Sequence, residues 1–177
     1  MTRIARAAVP IAALLLVLAA CGGDDAVGGP GESVIVEAVD YDYQGLPETV
    51  VAGTQFVLEN ESEDELHEFV AVLLPEDEDR SVEELLQLPM EELQQLFPFV
   101  KTVVIAPPGQ AGFPVEGTGV LDEPGRYAII CAIPTGADPD EYLAAAQESE
   151  GGPPQVEGGP PHFVQGMFAE LEVVAEG

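Results

Sequence analysis

Positive charge is what this chain has least of. Five Lys and Arg stand against 33 Asp and Glu in 177 residues, a formal net charge of −28. That shortage excludes nucleic acid as a partner, because the phosphate backbone is gripped by the cations that are missing. It equally excludes attachment to an anionic bilayer surface by charge attraction. The acidity reads as a solvated, self-repelling surface, or as steering toward a cationic partner. The sequence also contains no P-loop, no G-x-G-x-x-G and no H-E-x-x-H. The acidic run "PEDEDR" (Pro75–Arg80) lacks the spaced ligands and glycine of a calcium loop and reads as a solvated turn. Two cysteines, two histidines and three methionines complete the short inventory of soft and imidazole ligands. With so few, the position of each carries weight.

The length suits one domain with a sizeable core and is short for two. Residues 1–20 stand outside that domain. Arg3 and Arg6 form a basic start, and "AAVPIAALLLVLAA" follows as an apolar run too short to span a bilayer comfortably. The run ends in Leu18-Ala19-Ala20-Cys21, followed by Gly22-Gly23. This order resembles the signal peptide and lipobox of a bacterial lipoprotein, which implies lipidation of Cys21 and a protein held at the cell membrane on its extracytoplasmic side. A lipid explains how so acidic a chain stays at a membrane without electrostatic help. Residues 21–32, Gly-rich and without apolar period, read as a flexible tether. With Cys21 acylated, Cys131 has no disulfide partner within the chain. A lone thiol in an oxidising compartment is either buried and inert or bound to something.

Residues 33–177 carry short alternating runs rich in Val, Ile, Phe and Tyr: "SVIVEAVDYDY", "TVVAGTQFVLENES", "HEFVAVLL", "KTVVIAPPG", "GRYAIICAIP" and "MFAELEVV". This predicts an all-β, antiparallel sandwich or barrel. Two helical insertions interrupt it. In "SVEELLQLPMEELQQLF", Ser81 and Glu84 predict a capping box and Pro89 a restart, hence two short helices. In "ADPDEYLAAAQES", Asp138 is the expected N-cap with Pro139 at N1. The exit "EGGPPQVEGGPP" reads as a loop.

Alternation places Tyr127, Ile129, Cys131 and Ile133 on one face of a strand. Alone, Cys131 there is a small hydrophobe, Met167 is core and His67 is a polar residue at a strand start. His162, between Pro161 and Phe163 in a Gly/Pro loop, is harder to explain structurally. All four lie at strand ends or in adjoining loops, which gather at the poles of a sandwich. Two imidazoles, a thiolate and a weak axial thioether are the donors of a blue-copper site. Soft sulfur favours Cu(I), imidazole accepts either oxidation state, and zinc is less suited because a thioether serves it poorly. A Cys131–His162 nucleophile pair needs an electropositive setting that this chain lacks, so an enzyme is not expected.

G-x-Y-x-I-x-C, then H-x4-M and a closing strand, resembles the cupredoxins, plastocyanin-like type 1 copper proteins in particular. The resemblance spans roughly Val34–Val174. It implies a cupredoxin-like Greek-key β-sandwich in which His67, Cys131, His162 and Met167 bind one copper ion for single-electron transfer. A redox partner protein with a cationic docking face is the implied associate. A metal-free binding or structural lipoprotein on the same sandwich, or a copper storage or delivery protein, stays open beside it. The chain departs from the family pattern twice. Thirty residues, 132–161, separate Cys131 from His162 where the family has a tight loop, and Glu68 stands where asparagine is usual. A carboxylate beside a thiolate is electrostatically unhelpful, and a hydrogen-bond donor to the sulfur is expected to be missing. Lengthening a flexible loop from two to thirty residues costs roughly 2 kcal/mol, against metal binding on the order of 10 kcal/mol. Closure entropy alone therefore does not exclude copper.

Overall fold

The computed structural model describes residues 26–148 and 153–177. The lipobox and Cys21 lie outside them. Ten strands run in chain order as β1 (Ser33–Val39), β2 (Asp42–Gln44), β3 (Thr49–Val51), β4 (Thr54–Asn60), β5 (His67–Leu73), β6 (Val100–Ala106), β7 (Phe113–Glu116), β8 (Val120–Leu121), β9 (Gly125–Ile130) and β10 (Phe168–Val174). They form a four-stranded sheet, β2-β1-β4-β8, and a six-stranded sheet, β3-β10-β9-β5-β6-β7. Between them lies a core that includes Val36, Phe56, Leu58, Phe69, Tyr127, Ile129, Leu121 and Leu171. The architecture is a two-sheet β-sandwich. One detail departs from the antiparallel expectation: β1 pairs with β4, and β3 with β10, in parallel. Side-chain alternation identifies a strand but is the same whichever way its neighbour runs.

Residues expected to form the end of the tether join the sheet. Val27 bridges Val50, with N–H···O bonds exchanged between Val27 and the Thr49–Val51 strand.

Both insertions fold as the local chemistry directs. Helix α1 (Val82–Leu86) carries the complete Ser81/Glu84 capping box, and α2 (Met90–Leu93) restarts after Pro89. Asp138 Oδ1 accepts from the Asp140 and Glu141 amides at the start of α3 (Pro139–Glu148). The two insertions cover the outer face of the larger sheet. Val70 and Val72 of β5, which simple alternation would leave in water, are consequently buried. An apolar cavity of about 600 Å³ remains between that face and the insertions, with Val70, Val72, Ala128 and Ile130 among its lining.

Candidate metal centre

Three separate pieces of chain reach one pole of the sandwich. His67 opens β5, Cys131 follows β9 directly, and His162 begins a 3-10 turn, His162–Gln165, that leads into β10. All three side chains are fully buried. One donor atom from each lies within 4.8 Å of the other two. Cys131 Sγ is 3.3 Å from His162 Nδ1, and the two imidazole centroids are 5.0 Å apart. Met167, also fully buried, sits between the other groups along the backbone. Its carbonyl accepts from the Cys131 amide at 3.2 Å, and its own amide donates to the His162 carbonyl at 3.1 Å. Gly166 makes this tight return possible, since its φ of 112° lies where side chains are strained.

The thirty-residue insertion does not hold His162 away. Its two ends are zipped together: Pro134 bridges Pro161, the Thr135 amide and hydroxyl both donate to the Pro160 carbonyl, and Gly159 donates to Thr135. His162 N–H then donates to Ile133 and Phe163 N–H to Cys131, each at 2.9 Å. The excursion closes before it reaches the site, so His162 follows Cys131 as if across a short loop. Tyr142 of α3 anchors the excursion further by burying its ring and donating its hydroxyl to Glu68 Oε2 at 3.1 Å.

Glu68 corrects the expectation of a missing donor. Its backbone N–H points at Cys131 Sγ at 3.4 Å, so the main chain supplies the hydrogen bond that the side chain cannot. Its carboxyl accepts from Ala132 N–H at 2.9 Å and from the Tyr142 hydroxyl. Burial pushes that carboxyl up to about 7, opposed by these two hydrogen bonds. The charge beside the thiolate is thus weaker near neutral pH than that of an ordinary, fully ionised carboxylate.

Electrostatics leave the three donors uncharged in the metal-free protein. Burial lowers His67, with Asp40 opposing, and lowers His162 to about 4, aided by the neighbouring His67 and opposed by Glu65. Burial, and next the Glu68 carboxyl, push the Cys131 thiol well above its ordinary value. Among the described residues His67 Nδ1 is buried with no hydrogen-bond partner, an arrangement that costs roughly 1–3 kcal/mol unless something binds it. Two neutral imidazole nitrogens, one orphaned, converge on a thiol with a thioether residue alongside. This donor set fits a single copper ion.

Two residues of this pole were not singled out from the sequence. Asp40 Oδ1 lies 3.0 Å from His67 Nε2, and Glu65 Oε2 lies 3.3 Å from His162 Nε2. The Tyr41 ring lies tilted against His162 at 4.7 Å between centroids, and its hydroxyl donates to Glu65. Nothing in the sequence marks these two carboxylates among 33 acidic residues.

The described residues thus form a two-sheet sandwich with a buried His–Cys–His cluster, able to hold a metal ion, at one pole. Comparison with protein-family models and with curated proteins finds no match. Two solved structures are similar in fold: auracyanin B (19% identity, 86% of this chain and 96% of that one, TM-score 0.42), and dithionite-reduced auracyanin from Roseiflexus castenholzii (17% identity, 82% and 99%, TM-score 0.44).

Proposed function

We propose that this protein is an exported, lipid-anchored carrier of single electrons that holds one copper ion on His67, Cys131 and His162, with Met167 as the weak axial donor. The observation that carries the reading is the convergence of three fully buried donors within 4.8 Å. Copper supplies the one-electron chemistry there. The chain supplies a rigid cage: the Cys131 sulfur is held by the Glu68 amide, and the His162 backbone by Ile133 and Met167. A cage already assembled before metal arrives needs little rearrangement on electron transfer. Complete burial also favours carriage over delivery, since a delivery protein must expose its cargo to an acceptor.

Cys21 as the lipid anchor belongs to the same reading. Its support is the lipobox order, Leu18-Ala19-Ala20-Cys21 followed by Gly22-Gly23. The partner is a redox protein with a cationic face, met at a rim where Glu61, Glu63 and Asp64 are exposed.

The test is spectroscopic. The chain from Gly22 onward, given Cu(II), is expected to develop intense visible thiolate-to-copper absorption at one ion per chain, abolished in Cys131→Ser. A folded protein that takes up no stoichiometric copper would remove the proposal in favour of a structural or binding lipoprotein. Tight Cu(I) binding without Cu(II) colour would favour storage.

A further inference from the structure

Each imidazole at this pole places a ring nitrogen within 4.8 Å of Cys131 Sγ and turns Nε2 toward a carboxylate from a different loop. Asp40 follows β1 and faces His67 Nε2. Glu65 belongs to the loop before β5 and faces His162 Nε2. Their surroundings differ. The Asp40 side chain is 48% exposed, yet it makes a hydrogen bond of 3.0 Å. The Glu65 side chain is 15% exposed and fixed from three sides, by the Tyr41 hydroxyl, by the Gly136 amide at 3.1 Å, and by the His162 edge at 3.3 Å without hydrogen-bond alignment.

We propose that Asp40 and Glu65 are positioning residues of the metal centre: Asp40 fixes His67 with its proton on Nε2 and Nδ1 free to ligate, and Glu65 weights the centre toward the more highly charged copper state. This rests on the copper reading. His67 Nδ1 has no partner among the described residues, so among them only the Asp40 contact decides which ring nitrogen carries the proton. A carboxylate accepts but cannot donate, hence Nε2–H and a bare Nδ1. At His162 the protonated thiol of Cys131 already faces Nδ1 and favours the same tautomer, so Glu65 is not needed for that purpose. Its contribution is charge. A negative group near the ion stabilises the dipositive state more than the monopositive one. Because Glu65 is better shielded from solvent than Asp40, its charge is less screened.

The experiment uses the full chain in detergent, first without metal. In 15N–1H correlation spectra of the histidine rings, wild type is expected to show Nε2–H at both residues. Asp40→Ala should give mixed tautomers at His67 and leave His162 alone, while Asp40→Asn, whose Oδ1 still accepts, should restore Nε2–H. Nδ1–H at His67 in wild type, or a His67 ring unmoved by Asp40→Ala, overturns the assignment. With copper bound, Asp40→Ala should lose about 10–100-fold in Cu(II) affinity. Glu65→Gln should raise the reduction potential more than Asp40→Asn does. Each tenfold loss selective for Cu(II) reads as about 59 mV. An unchanged potential in Glu65→Gln overturns its role. Failure to take up copper at all defeats the copper reading and with it the Glu65 assignment, while the metal-free ring spectra still decide the Asp40 assignment. Far-ultraviolet circular dichroism of each variant separates these outcomes from misfolding.

Discussion

At the scale of the residue, Met167 is the proposed ligand whose role is most separable from packing. It is fully buried beside Cys131 and His162, so a core reading and an axial reading both account for its position. Met167→Leu distinguishes them. The two side chains have similar volume, and swaps of this kind usually cost less than about 1.5 kcal/mol. As an axial donor, Met167 completes the coordination of Cu(II) more than that of Cu(I), which is content with three donors. The variant should therefore fold, keep its thiolate absorption and show a higher reduction potential by voltammetry. A potential identical to wild type would return Met167 to the core. Cys131 gives a second residue-level expectation. Its thiol is held protonated without metal, so copper binding at neutral pH should release one proton per ion, measurable by calorimetry in buffers of different ionisation enthalpy.

The insertions are where single elements decide the outcome. The local signals of their helices were fully legible: Ser81, Glu84, Pro89 and Asp138 each act where capping rules place them. So was the strand face that carries Cys131, since Tyr127, Ile129 and Ile133 are buried with it. The zipper between Pro134–Thr135 and Gly159–Pro161 was not. It consists of backbone and hydroxyl hydrogen bonds in a Gly/Pro segment, and side-chain periodicity says nothing about main-chain partners. Asp40 and Glu65 were illegible for a related reason, because their value lies in an approach across 27 residues in one case and 97 in the other, and their composition matches the solvated acids around them. The clamp of α3 onto the site is testable through Tyr142→Phe. Losing the hydroxyl leaves a buried Glu68 oxygen unsatisfied, and should cost about 1–3 kcal/mol in denaturant unfolding. The first insertion has its own pin. Glu78 takes two side-chain hydrogen bonds from Arg80, whose carbonyl accepts from Arg126 of β9. The Arg80 hydrogen bonds lower the Glu78 carboxyl from 4.5 to about 2. A carboxyl lowered in the folded state stabilises it above 4.5, and that contribution disappears as pH falls through about 2. Unfolding curves of Glu78→Gln should therefore lie below wild type at pH 7 and converge with it toward pH 2.

Over the whole molecule, charge and anchoring combine into one expectation about rate. On the proposed reading a lipid at Cys21 would confine the domain to a membrane surface, and the net charge of −28 surrounds it with a field that a cationic partner senses before contact. Exposed Glu61, Glu63, Asp64 and Asp40 place part of that field beside the imidazoles, while Val164, 61% exposed two residues beyond His162, offers an apolar contact at the same pole. The charge therefore acts on encounter, and the apolar patch on the docked state. Salt separates the two contributions. The screening length falls from about 30 Å at 0.01 M to about 3 Å at 1 M ionic strength, and steering contributes on the order of 10–1,000-fold to association rates. Stopped-flow oxidation of the copper-loaded, reduced protein by a basic cytochrome should slow at least about tenfold across that range. An acidic electron acceptor should show the opposite slope, because screening then removes repulsion. Val164→Asp should lower the rate with the basic cytochrome at 1 M salt, where only the contact remains. A rate independent of ionic strength with both partners would mean that the acidic surface serves solubility alone and that recognition lies elsewhere on the domain.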